Sequence, residues 1–206
     1  MTFLTALGGY PVAYFLSRTR LRYKPLLFAL VISPFMINGV VTAFSFLVIL
    51  SPTGLLGTLG RMVGLSGINL MYTQTSMVLG MSYFLFPFMV LPLFTAFQDI
   101  HPSFEEAAMS MGASHWHIFR KVVFPLSIPG FLAGTSLVFS MMMTRYAVPH
   151  MLGGGNIKVI TNLVADYTLE YLDWTGAAAI SMFLISLIVL VLFGYHILAA
   201  RAGVRR

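Results

Sequence analysis

"EEAAMSMGASHWHIFRKVVFP", residues 105–125, is the longest stretch of this 206-residue chain that does not read as membrane. Just ahead of it, Ser103 followed three residues later by Glu106 matches a capping box, in which each side chain satisfies an orphan backbone N–H at a helix start. Ala107, Ala108 and two Met residues carry that helix to Gly112, a natural left-handed stop. Ser114 can cap a second short helix through His115, Trp116, Phe119 and Val122, expected to halt before Pro125 because the residue preceding a proline disfavours helical geometry. The prediction is a helix, a glycine turn and a second helix: an elbow. It would leave Phe104, Met109, Met111, Trp116 and Phe119 exposed beside charged residues, and such a rimmed apolar patch marks a protein contact.

Everything around the elbow is apolar. Hydrophobic residues make up 58% of the chain and charged residues 9%, and the mean hydropathy is +0.89. Soluble domains carry roughly 25% charged residues, so an all-α integral membrane protein is expected. Five segments approach the roughly 20 residues needed to span a bilayer core: 1–17, 25–50, 75–97, 126–148 and 174–199. Pro11, Pro34, Pro87, Pro92 and Pro129 lie in or beside them, which membrane helices tolerate when neighbours recover the freed carbonyls.

The net charge of +6 has an orientational rather than a nucleic-acid explanation. Nine of the twelve Lys and Arg residues (Arg18, Arg20, Arg22, Lys24, Arg120, Lys121, Arg201, Arg205 and Arg206) fall on one side of the alternating spans, and basic residues near span ends stay cytoplasmic. The elbow and the C-terminus are therefore expected inside. Trp174, at the head of the last span, suits the interfacial aromatic belt. The chain has no cysteine, which excludes disulfides, thiolate metal sites and cysteine nucleophiles. No basic region precedes the first apolar run, so no removable signal peptide is expected. The connections at 51–74 and 150–173 are too short for separate domains, and residues 1–206 read as a single transmembrane domain with a cytoplasmic segment at 98–125.

The spacing Glu106-Ala107-Ala108, three residues, Gly112, nine residues, Val122, one residue, Phe124-Pro125 resembles the EAA signature of inner-membrane permease subunits of ATP-binding cassette importers. "GYPVAYFLSR" near the start, and "YAVPHMLGG" followed by "DWTGAAAIS" towards the end, are similar to the branch containing spermidine, putrescine, opine and ferric-ion permeases. The resemblance covers essentially the whole chain. It implies the type I importer permease fold in a bacterial or archaeal inner membrane. It also implies that the elbow rests in a groove on a cytoplasmic ATPase subunit, with Glu106, Ala107, Ala108, Gly112, Trp116 and Pro125 as coupling residues. The implied partners are two ATPases, a second permease (identical or homologous), an extracytoplasmic binding protein and the membrane lipid. This chain has no phosphate-binding loop, so ATP and Mg would be held by the partner ATPase and no cofactor by this chain.

His101, His115, His117, Glu105 and Glu106 do not make a credible metal site, because residues two apart on a helix point in different directions. No catalytic constellation is evident. A self-contained secondary transporter would need spanning acidic residues, which are lacking. Arg145 follows "SMMMT" near the outer end of the fourth span. It either forms a structural ion pair with Asp166, Glu170 or Asp173, or lines the translocation path together with Tyr146 and Met142. In the path, a guanidinium favours carboxylate or phosphonate groups. On that ground the expected substrate is a small organic anion or zwitterion (an amino-acid derivative, opine or phosphonate), with a polyamine or ferric ion as the alternative. Gly134, Ser136 and Ser140 are expected to line the contact with the second permease, and Gly153, Gly154 and Gly155 to meet the binding protein.

Overall fold

The computed structural model describes residues 1–19, 22–62, 64, 69–155 and 157–201, with side chains to 198. Arg20, Arg205 and Arg206, three residues behind the expected orientation, lie outside this set, as does the Arg201 side chain. Among the described residues every regular element is helical: α1 (Thr2–Arg18), α2 (Lys24–Met36), α3 (Gly39–Leu50), α4 (Leu55–Met62), α5 (Gln74–Asp99), α6 (Pro102–Ser110), α7 (His115–Ile118), a π-helical turn (Phe119–Val123), α8 (Phe124–Thr144), α9 (Ala147–Gly153), α10 (Ile160–Leu169) and α11 (Trp174–Arg201).

Among the described residues, four helical stretches are long and apolar enough to cross a membrane: Gly39–Met62, Gln74–Asp99, His115–Thr144 and Trp174–Leu198. The first expected span is the 17-residue helix α1, and the bounds of the second are corrected. The segment 25–50 is two helices, because the Asn38 side chain accepts a hydrogen bond from the Val40 N–H at 2.8 Å and starts α3 afresh two residues after α2 ends. An asparagine that bonds locally offers the backbone an alternative to continuing a helix, and Pro34 has already removed one donor from the last turn of α2. The Lys24–Met36 helix is correspondingly short. The third, fourth and fifth expected spans correspond to α5, α8 and α11.

Two compact units divide the chain: Ser33–Leu85 and Ser140–Val189 with Met1 in one, and Thr2–Ile32, Phe86–Phe139 and Leu190–Arg206 in the other. We call them the loop unit and the elbow unit. α5, α8 and α11 each contribute residues to both. α5 is the most enclosed: 56% of its apolar window is buried, against 11% for α11. The cause is a stripe of five residues spaced four apart. Met81, Leu85, Met89, Leu93 and Phe97 are all fully buried, and residues four apart share one helix face.

In the elbow unit, α1 and α8 reach α5 through glycines. A Cβ at Gly9 would stand 3.0 Å from Met89 Cγ, one at Gly134 2.9 Å from Met89 Sδ, and one at Gly130 2.4 Å from the Ala96 Cβ and 2.8 Å from the Pro92 carbonyl oxygen. Gly130 and Gly134 form a GxxxG pair, the small-residue pattern that lets membrane helices approach backbone to backbone. Gly134 therefore packs within its own chain, which corrects its expected place against a second permease. In the loop unit, Ser76 donates to the Leu152 carbonyl at 3.1 Å, and a Cβ at Gly80 would meet Leu152 Cδ1 at 2.3 Å.

Candidate functional site

The elbow begins where α5 ends at Asp99. Pro102 occupies the first helical position of α6, where its missing N–H is no loss and its φ is already helical. That choice moves the cap back to His101, whose Nδ1 accepts from the Ser103 N–H at 3.3 Å and lies 2.8 Å from the Ser103 hydroxyl. The expected Ser103–Glu106 capping box is thus corrected: Ser103 is already inside the helix.

Gly112 closes α6 as expected. Its φ is +82, the Gly112 N–H donates to the Met109 carbonyl at 2.9 Å, and the Ala113 N–H reaches back to Ala108 at 3.1 Å. This pair of bonds is a Schellman closure, which needs a left-handed residue at that point. Ser114 then caps α7, accepting from the His117 N–H at 3.4 Å.

Pro125 does not halt the helix, contrary to expectation. Residues 115–144 run as one helical stretch, because Phe119–Val123 adopts a π-turn in which the Phe124 N–H bonds the Phe119 carbonyl. In a regular helix the Pro125 ring would press on the carbonyl of Lys121; the wider turn relieves that crowding while keeping the chain helical.

Glu106, Ala107, Gly112, Trp116 and Pro125 are exposed, whereas Ala108 is buried. Trp116 is 70% exposed, and its ring stacks on Phe119 at 5.7 Å. With Phe104, Met109 and Met111, also exposed, it makes an apolar surface on the outside of the elbow.

The inner side is polar and was missed from sequence. Arg18, in the last turn of α1, donates to the Ile100 carbonyl at 3.1 Å and pairs with Glu105 at 2.5 Å. The Tyr14 hydroxyl donates to the other Glu105 oxygen at 3.2 Å. One turn further back, the Tyr10 and Ser127 hydroxyls are 2.7 Å apart. Tyr10, Tyr14 and Arg18 are four residues apart in "GYPVAYFLSR", a polar stripe on an otherwise apolar helix, and that spacing was the available signal.

In the loop unit, the three expected path residues are not brought into one cavity. Met142 lines a cavity of about 430 Å³ with Gln74, Met143, Lys158 and Thr161. Tyr146 lines another of about 480 Å³ with Thr144, Thr161 and Thr168, and its ring stacks on His150 at 5.0 Å. Arg145 is held otherwise. Its guanidinium lies 4.4 Å from the centre of the Phe84 ring, its carbonyl accepts from the Thr161 hydroxyl at 2.8 Å, and its Nη2 is 3.8 Å from Met141 Sδ. The expected ion pair with Asp166 is not formed, because Asp166 pairs with Lys158 at 2.6 Å. The hydrogen bond and charge of Asp166 raise the Lys158 pKa above its ordinary value. Gly154 ends α9 in the left-handed region with φ +59, against the Tyr72 ring; Gly155, at φ +79, faces open space.

Residues 6–204 match the family described as binding-protein-dependent transport system inner membrane component. A spermidine/putrescine transport system permease protein of Haemophilus influenzae is 32% identical over 197 residues, 95% of this chain and 69% of that protein. The Escherichia coli K12 protein described in the same words is 33% identical over 189 residues, 91% of this chain and 69% of its own length. A molybdenum transport system permease protein of Azotobacter vinelandii is 34% identical over 172 residues, 84% of this chain and 75% of that one. Among solved structures, a chain of a bacterial ABC transporter involved in the import of the acidic polysaccharide alginate superposes with a TM-score of 0.73 at 17% identity, covering 98% of this chain and 76% of that chain. A chain of the MetNI methionine ABC transporter in an inward-facing conformation gives a TM-score of 0.68 at 19% identity, covering 98% and 91%. At those identities the likeness is one of fold. With a family match over residues 6–204 and relatives above 30% identity, the chain belongs to the binding-protein-dependent inner membrane components, the permease subunits of ATP-binding cassette importers.

Proposed function

We propose that this permease subunit imports a polyamine of the spermidine and putrescine class, delivered by an extracytoplasmic binding protein. The observation that carries the reading is the identity of about a third, over more than nine-tenths of the chain, to permeases described as spermidine/putrescine transport proteins. The main argument for an anion, a free guanidinium at Arg145, is weakened by its seat on Phe84. Cation–π contact occupies the face of the group. Lys158, which lines the cavity that Met142 also lines, is neutralised by Asp166.

The elbow and Arg18, Lys24, Arg120 and Lys121 lie on the cytoplasmic side in this reading, and so does the C-terminus. The exposed surface of Glu106, Ala107, Gly112, Trp116 and Pro125 docks on an ATPase subunit, which holds ATP and Mg. α11, with its apolar window largely unburied, faces lipid or a second permease, and residues 1–206 act as one permease domain. A Schellman-closed turn suits a coupling element, since a stiff connection passes displacement on where a floppy loop would absorb it.

The test is reconstitution of the whole importer with its binding protein in proteoliposomes. Spermidine or putrescine should stimulate ATP hydrolysis, whereas molybdate, sulfate, phosphonates and amino-acid derivatives should not. An anionic substrate is the second reading, favoured by the molybdenum permease relative; stimulation by an oxyanion alone would establish it in place of the polyamine.

A further inference from the structure

The polar stripe of α1 touches both limbs of the elbow. Tyr10 meets Ser127 on the α8 limb, Tyr14 and Arg18 meet Glu105 on the α6 limb, and Arg18 also holds the Ile100 carbonyl at the corner where α5 gives way to α6. The Glu105 and Arg18 side chains are only 13% and 23% exposed. An ion pair so shielded is screened little by salt, and losing one member strands the other. Aromatic rings fill the space between the polar contacts: Tyr10 and Tyr14 pack edge-on against Phe97 at 5.2 and 5.4 Å, and against Phe119 at 5.8 and 6.2 Å. Phe97 lies on α5 and Phe119 opens the π-turn, so α1 is seated against every segment that enters or leaves the elbow. The neighbouring residue, Glu106, is exposed, so of the two adjacent glutamates only Glu105 is turned towards α1.

We infer that Tyr10, Tyr14 and Arg18 form a clamp, with Arg18–Glu105 as its main closure, which fixes the elbow to α1 so that α1 moves with α6 as a single body. The inference rests on the reading of the elbow as the ATPase contact and deepens it. The displacement delivered to α6 is carried into α1 directly, as well as through the chain into α5 and α8. Arg18 and Glu105 are positioning residues in this scheme: they touch neither nucleotide nor substrate.

The chain has no native cysteine, so spin labels can be placed at will. Phe15→Cys on α1 and Ser110→Cys on α6 are both at exposed positions, and the assembled importer can be measured by pulsed electron resonance without nucleotide and trapped with ATP and vanadate. The α1–α6 distance should be narrow and the same in both states, and should broaden when Arg18→Gln is added. In proteoliposomes, Arg18→Gln and Glu105→Gln should each lower solute taken up per ATP hydrolysed by about tenfold while the ATPase still co-purifies. The exchange variant, Arg18→Glu with Glu105→Arg, should recover most of that ratio. A distance that changes between states in the otherwise unaltered chain, or single variants with the original uptake per ATP, overturns the clamp. Tyr14→Phe removes one hydroxyl and leaves the ring on Phe97; it should lower the ratio about twofold. If Arg18→Gln does not assemble, an unchanged ratio in Tyr14→Phe overturns the proposal instead. Failure of the underlying reading looks different: a chain that brings down no ATPase would still show the narrow α1–α6 distance without nucleotide, and its broadening on Arg18→Gln.

Discussion

The ion pairs of the two units differ in reach and in exposure. In the elbow unit, Arg18–Glu105 joins residues 87 apart in sequence, both largely buried. In the loop unit, Lys158–Asp166 joins residues 8 apart, and the lysine side chain is 48% exposed. The glycines repeat the contrast. Gly130 stands over the Pro92 carbonyl and Ala96 Cβ, which cannot move aside, whereas Gly80 stands over the terminal methyl of Leu152, which can rotate. The difference lies in these two kinds of contact and not in reach as such, because Ser76–Leu152 and Arg145–Phe84 also join distant parts of the loop unit.

The largest effect should come from enlarging Gly130. Gly130→Leu should prevent recovery of folded importer, and Gly130→Ala should cost about 1–3 kcal/mol as overpacking against backbone, read as a lowered Tm in detergent. Gly80→Ala should cost less than Gly130→Ala, because the Leu152 methyl that its Cβ would meet can rotate away; an equal loss at both sites would break the contrast. Next, Arg18→Gln should destabilise by about 2 kcal/mol, below the full cost for a completely buried pair because both groups retain some exposure, while Lys158→Gln should leave the Tm within scatter. A third variant sharpens the role of the turn. No atom lies within 4 Å of a Cβ at Gly112, so Gly112→Val acts through its φ of +82 alone and should cost about 1–2 kcal/mol. Gly112→Asn, tolerated in the left-handed region, should recover most of that, and uptake should follow the same order. The smallest effect concerns pH. The Lys158 pKa is raised by Asp166, so its contribution is fully present below the unfolded value of about 10.4 and is lost only as pH rises through the higher folded value. Thermal stability should therefore show no Lys158-dependent step between about pH 7 and pH 9, with Lys158→Gln as the control.

The sequence carried the parts of this fold that depend on neighbours along the chain. Apolar length announced α5, α8 and α11. Gly112 and Ser114 announced the turn and second cap of the elbow, because left-handed backbone and side-chain capping are decided within four residues. What failed was decided across space or by competition between local signals. Glu105 and Glu106 are indistinguishable as text, and only the arrival of α1 assigns one inward. Ser103 lost the cap to His101 because Pro102 fits the first helical position better. Pro125 did not break its helix because a π-turn absorbs the ring. Arg145 was expected either beside an acid or in the path; it rests on the Phe84 ring, and Asp166 pairs with Lys158. Gly134 was assigned to a contact between subunits, but Met89 claims it within the chain.

The π-turn at Phe119–Val123 carries a bookkeeping consequence of its own. It closes five residues where a regular turn closes four, so deleting a single residue there would restore a regular α-helix with Trp116 and Gly112 kept near their present angle to Gly130 and Gly134, whereas the same deletion in the regular part of α8 would rotate them by about 100°. The wide turn is thus a place where the chain can gain or lose one residue without swinging the elbow, and with the intramembrane packing of α8 untouched.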